Sequence, residues 1–171
     1  MTEDKLKIVV FGVFGAGKTT LIRTLDPQSK HVEAETLGGT TTIALDFGKV
    51  DVNGRHVYLF GTPGQERFEF AREVIARGMD GAILLADATS PVDEFTRHCH
   101  DSLAEEKVPF VVMVNKCEEV GAHPDQFREH LCGAPVYTMS AKDHRRAFDA
   151  LCTFVATLPP SHGHVHGHHG I

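Results

Sequence analysis

Eight consecutive residues, Gly12-Val13-Phe14-Gly15-Ala16-Gly17-Lys18-Thr19, carry the most readable chemistry in this chain. They satisfy G-x-x-x-x-G-K-[ST] in full. Glycines at these spacings let successive main-chain N–H groups curl round an anion. A helix opening at the last of them adds the positive end of its dipole. Lys18 would reach β- and γ-phosphate oxygens, and Thr19 would offer its hydroxyl to Mg2+. The pattern is that of a nucleoside triphosphate site lined by Gly12, Phe14, Gly15, Ala16, Gly17, Lys18, Thr19 and Thr20. By itself it does not select the base.

A loop of this kind works only between a strand and a helix, and the flanking segments read that way. Leu6–Phe11 is a short apolar run closed by Gly12, as in a buried strand. Gly17–Leu25 reads as a helix stopped by Asp26-Pro27. Thr42–Val52 and Arg55–Phe60 flank Asn53-Gly54, a two-residue hairpin signal. Glu66–Arg77 reads as a helix, and Gly81–Asp87 and Pro109–Asn115 as further buried strands. Between them Pro91–Glu105 is a helix expected to open on Ser90 as N-cap, with Pro91 in its first turn. A short helix after Pro124, a strand at Pro135–Met139 and a helix over Asp143–Leu158 complete the order. The expected fold is α/β: six strands, mostly parallel, one antiparallel edge strand and helices on both faces. Ligands of such sheets sit beyond the carboxyl ends of the strands.

The gross numbers agree. The chain has 171 residues, 42% apolar and 23% charged, which suits one domain, expected over residues 1–158, with a tail at 159–171. A formal charge of -6 favours neither a nucleic-acid backbone nor an anionic membrane. From Met1-Thr2-Glu3-Asp4-Lys5 no leader sequence is expected, nor from Thr2 and the final residues any myristoylation or prenylation. No direct membrane anchor and a cytoplasmic location are expected. Cys99, Cys117, Cys132 and Cys152 are too scattered for a disulfide framework or a Cys-based zinc site. Reduced, mostly buried thiols are expected.

Later segments resemble the Ras-like small GTPases, in the right order, across Leu6 to Leu158. Gly61-Thr62-Pro63-Gly64-Gln65-Glu66-Arg67-Phe68 is similar to the family's D-T-A-G-Q-E-R-F switch. Asn115-Lys116-Cys117-Glu118 resembles the guanine-reading N-K-x-D, and Ser140-Ala141-Lys142 matches the base-contacting S-A-K. The T-P-G-Q switch resembles prokaryotic members, the polarity GTPases of the MglA type and the actinobacterial conservon GTPases. The resemblance implies a GTP/GDP switch that hydrolyses GTP slowly with Mg2+. Thr42 would face the metal and γ-phosphate, the Gly64 amide would sense that phosphate, and Gln65 would orient the attacking water. Lys18, Thr42 and Gln65 are thus the implied catalytic set. Activating and exchange proteins are implied partners, with roadblock-type proteins among those known for such relatives.

Two positions depart from the family. Gly61 stands where most relatives have the aspartate that holds Mg2+ through water. Asp46, four residues beyond Thr42, is the candidate replacement, giving Thr19, Thr42 and Asp46 as the metal set. Glu118 replaces the guanine-reading aspartate; it keeps the carboxylate but reaches one methylene further. These departures leave open a module that binds nucleotide with little hydrolysis. The His- and Gly-rich segment Ser161–Gly170 leaves open a metal-handling GTPase that chelates Ni2+ or Zn2+. His98-Cys99-His100-Asp101 reads instead as a helix surface with one buried cysteine.

Overall fold

Unbroken apolar runs cannot share their faces with water, so they settle in strands covered on both sides. β1 (Lys5–Phe11), β5 (Gly81–Asp87) and β6 (Phe110–Asn115) are such strands. They lie side by side, parallel, in the middle of the sheet. The computed structural model describes residues 4–13, 15–35, 42–61 and 68–160. Outward from the centre lie β4 (Arg55–Gly61), β3 (Thr42–Val52) and β2 (Lys30–Glu35) on one side and β7 (Val136–Thr138) on the other. The order is β2-β3-β4-β1-β5-β6-β7. All pairings are parallel except those of β3 with β2 and β4.

Helices cover both faces. α1 (Lys18–Leu25) and α5 (His144–Ala156) bury Leu21, Ile22, Leu151 and Phe154 against Ile8, Val10, Leu59 and Ile83. α2 (Phe68–Arg77), α3 (Glu94–Glu105) and α4 (Asp125–His130) bury Ile75, Phe95, Leu103 and Phe127 against Val9, Leu84 and Val112 on the other face. Among the described residues, no helix is long and apolar enough to cross a membrane.

The α/β expectation holds, with local corrections. Among the described residues the sheet has seven strands, not six, because Lys30–Glu35 forms β2. Its sequence, Lys-His-Val-Glu-Ala-Glu, has no apolar run; it is held by the backbone ladder to β3. The antiparallel strand β3 is therefore one in from the edge. α3 opens at Glu94, not Pro91: the Asp93 carboxylate accepts the Thr96 amide at 2.7 Å and serves as N-cap. The Ser90 amide instead closes a turn onto the Asp87 carbonyl. Both residues are good caps, and the later one wins. Of the cysteines, Cys99 is buried, Cys117 and Cys152 are half-buried and Cys132 is exposed. Burial pushes the Cys99 thiol up to about 12, so it packs as an inert apolar group.

The β3–β4 hairpin turns on Asn53 (φ 51°) and Gly54 (φ 83°), left-handed at both central positions as a two-residue turn requires. The next residue, Arg55, clasps distant parts of the chain. Its Nε donates to Asp4 Oδ2 at 2.6 Å. Its terminal nitrogens donate to the carbonyls of Val155, Leu158 and Pro159, at and just beyond the end of α5. Replacing Arg55 with Ala should cost about 2–3 kcal/mol, since charge-assisted bonds are lost and carbonyls are left to solvent. Urea unfolding should show a lower midpoint at an unchanged slope.

Candidate nucleotide-binding site

The turn from β1 into α1 is shaped by two glycines. Gly17 caps α1 in the left-handed region (φ 108°), and no side chain caps the helix. The amides of the first turn are therefore left for the loop and its ligand. A Cβ on Gly17 would lie 2.6 Å from Asn115 Nδ2, and one on Gly12 would lie 2.8 Å from the Leu85 carbonyl oxygen. Lys18, 4% exposed, turns its Nζ onto the carbonyls of Gly12 and Val13.

Above this loop, at the carboxyl ends of β1 and β6, lies a cavity of about 360 Å3. It is lined by Gly15, Gly17, Lys18, Thr19 and Thr20, by Asn115, Lys116 and Glu118, and by Ser140, Ala141 and Lys142. All were expected from sequence. Val13 and Glu119 also line it and were not. Gly12 and Ala16 are buried.

Asn115 is buried at the end of β6, where its Nδ2 donates to the Ala16 carbonyl at 3.0 Å and its Oδ1 accepts the Ala141 amide at 2.8 Å. One side chain therefore joins the phosphate loop to the Ser140-Ala141-Lys142 loop. Lys116 follows with φ 67°, an unfavourable region for a non-glycine residue. Its Nζ donates to the Gly15 carbonyl at 2.9 Å and to Asp87 Oδ2 at 3.1 Å. Burial acts to raise the Asp87 pKa. It is outweighed by hydrogen bonds from the Thr89 hydroxyl and amide and by the Lys116 ammonium, so the carboxyl lies below its ordinary value. Glu118 is exposed at the cavity rim, its Oε2 3.9 Å from Lys142 Nζ.

On the Thr19 side stands Asp46, 4% exposed. Its Oδ2 accepts the Thr19 hydroxyl at 2.6 Å, and its Oδ1 is 2.5 Å from His31 Nδ1. In the sheet register Asp46 lies opposite both His31 and Gly61. Thus Asp46 faces Gly61 across one strand spacing. The hydroxyl of Thr19 and the carboxylate of Asp46 form an oxygen donor set that fits a hard divalent cation. Ile22 sits in the notch left by two glycines. A Cβ on Gly61 would approach its Cδ1 to 2.9 Å, and one on Gly48 would approach its Cγ2 to 3.0 Å.

Some expected residues lie outside the described ones: Phe14, Gly64, Gln65 and the tail from Ser161. Thr42 opens β3 opposite Glu35; its side chain is likewise outside. Cys99 is buried, and His100 Nδ1 pairs with Asp101 at 2.9 Å. Among the described residues no three His, Cys, Asp or Glu side chains gather as a metal cluster. Sequence reasoning missed Val13, His31, Asp87 and Glu119. Asp87 had a signal, as the polar end of the apolar strand Gly-Ala-Ile-Leu-Leu-Ala-Asp. His31 had none, because register alone brings it to Asp46.

A phosphate loop between β1 and α1, a cavity at the strand ends and an asparagine tie between its loops define a P-loop GTPase G domain. Residues 3–157 match the family described as the elongation factor Tu GTP binding domain, and the chain belongs to that family. It binds guanine nucleotide and is a GTP hydrolase. An uncharacterized protein of Methanocaldococcus jannaschii is 35% identical over 118 residues, 69% of this chain and 74% of that protein. The translation initiation factor IF-2 of Pelotomaculum thermopropionicum is 33% identical over 124 residues, 72% of this chain but 12% of the factor. The G domain of the T. maritima FeoB iron transporter superposes with a TM-score of 0.69 at 22% identity, covering 89% of this chain and 97% of that one. Translation elongation factor SelB of Methanococcus maripaludis, solved with a GTP analogue, gives 0.65 at 18% identity, covering 93% and 35%.

Asn115→Ala should cost about 2–4 kcal/mol, because it leaves the Ala16 carbonyl and the Ala141 amide buried and unpaired. Urea unfolding without nucleotide measures this directly. Gly61→Asp should cost about 1–3 kcal/mol through the Ile22 contact, and Ile22→Val should recover part of it. Thermal unfolding of the two single variants and the double variant tests the coupling. Asp87 adds stability that is present above the ordinary value of 3.8 and is lost as pH falls through its lower folded value. Asp87→Asn should therefore lower stability near neutrality and flatten its decline below about pH 4, as read by urea midpoints against pH.

Proposed function

We propose that this G domain is a regulatory GTP/GDP switch of the Ras-like type, similar to the T-P-G-Q group of prokaryotic GTPases. It comprises residues 1–158, with 159–171 as a tail, and acts in the cytoplasm with activating and exchange proteins, a roadblock-type protein among the candidates. The observation that carries this reading is the Thr19–Asp46 contact at 2.6 Å. It supplies a metal-side carboxylate where Gly61 cannot, and so keeps a hydrolytic site open to this chain.

In this reading Thr19, Thr42 and Asp46 would hold Mg2+, which would supply positive charge beside the phosphates. Lys18 moves its ammonium from the Gly12 and Val13 carbonyls to β- and γ-phosphate oxygens and offsets the charge that develops in the transition state. Gln65 orients the water for in-line attack on the γ-phosphorus, and the leaving group is GDP. Thr42 and the Gly64 amide lose a partner when the phosphate departs, so two loops relax together. Asn115, Lys116, Glu118, Ser140, Ala141 and Lys142 form the base end. The Glu118 carboxylate accepts two N–H bonds from guanine, a pair that adenine does not offer.

Gln65→Leu should slow single-turnover hydrolysis by about 10-fold or more while leaving GTP binding within a few-fold. Unchanged hydrolysis would remove Gln65 from the catalytic set. GTP and GDP should displace a fluorescent guanine nucleotide at least 100-fold better than ATP, about 3 kcal/mol of discrimination. Equal displacement by ATP would overturn the base assignment.

A further inference from the structure

The three-strand edge of the sheet gives Asp46 two neighbours. Gly61 on β4 offers no side chain, and His31 on β2 offers an imidazole. His31 Nδ1 lies 2.5 Å from Asp46 Oδ1. Since a carboxylate only accepts, Nδ1 carries the proton of this bond. The other oxygen, Oδ2, takes the Thr19 hydroxyl. Both oxygens are thus assigned, and the rotation of the carboxylate is set. The His31 side chain is 62% exposed, so the ring adds little apolar burial to the edge strand.

Orientation matters more here than in a site built on the neighbouring strand. Asp46 stands one strand spacing, about 4.8 Å, further out than a side chain at position 61 would. From there a modest rotation would carry Oδ2 away from Thr19. Outer hydrogen-bond partners of metal-ligating carboxylates generally fix this rotation, and their loss costs about 10–100-fold in metal affinity.

We propose that His31 is a positioning residue for the metal-side carboxylate: its Nδ1–H holds Asp46 Oδ1 and so aims Oδ2 at Thr19 and the divalent cation. This rests on the reading of Asp46 as a metal ligand. It makes the outermost strand of the sheet, which carries none of the recognised motifs, part of the nucleotide machinery.

The test measures release of fluorescent GDP from the full chain across a series of free Mg2+ concentrations ending in excess EDTA. His31→Phe should raise the Mg2+ concentration for half-maximal retention about 10-fold or more. His31→Asn, whose amide nitrogen stands where Nδ1 does, should stay within about twofold of wild type. Release in excess EDTA should be the same for wild type and the two single His31 variants, whose phosphate loop and base end are untouched. Adding His31→Phe to Asp46→Asn should shift the midpoint no further. A His31→Phe midpoint equal to wild type, while Asp46→Asn is shifted, overturns the proposal and leaves the Asp46 reading standing. Equal shifts in the Phe and Asn variants also overturn it, because a staple between strands would behave that way. An Asp46→Asn midpoint equal to wild type sinks the Asp46 reading itself, and this proposal with it.

Discussion

One buried amide group holds the nucleotide pocket in shape. Asn115 has a donor and an acceptor at fixed separation, and it spends them on the Ala16 carbonyl and the Ala141 amide. No apolar side chain could bridge those two loops, and no charged one could be buried there without a partner. The tie constrains its surroundings in turn. Gly17 has to lack a Cβ because the Asn115 amide fills that space. Lys116 is then carried into a left-handed conformation, from which its ammonium reaches back to Gly15 and Asp87. The loop after β1 and the loops at Asn115 and Ala141 are therefore parts of one hydrogen-bonded unit.

Within that unit the cationic and hydroxyl groups have protein partners of their own. Lys18 rests on main-chain carbonyls, and Thr19 rests on Asp46. These are exchangeable partners: a carbonyl or carboxylate oxygen can be traded for a phosphate oxygen with little change in hydrogen-bond count. The groups stay hydrogen-bonded in the ligand-free state, which avoids the cost of leaving buried polar groups unsatisfied. The Asp46 contact also explains how a chain with glycine at position 61 retains an acidic group beside Thr19. The carboxylate comes from the adjacent antiparallel strand, at the position opposite the glycine.

What could be read in advance follows from how local each feature is. The phosphate loop was legible because its function demands given residue types at given spacings within eight residues. The central strands were legible because burial on both faces demands continuous apolar sequence. Asp46 was within reach of sequence reasoning because it lies close to Thr42 on one strand. β2 was not legible, since an edge strand stabilised by its ladder leaves no apolar pattern. The start of α3 was misplaced because Ser90 and Asp93 are both competent caps and only the tertiary path decides between them. His31 was invisible for a related reason. Its meaning comes from a register between strands, and register is a property of the pair.

The clasp at Arg55 gives the sheet edge a mechanical character. The β3–β4 turn is pinned to the beginning of β1 through Asp4 and to the end of α5 through three carbonyls. The opposite ends of the same two strands are Thr42 and Gly61, and Gly61 lies in register with Asp46 beside Thr19. The hairpin is therefore a lever fixed at its far tip. Displacement arising at the pocket must die away along its length before it reaches the tip.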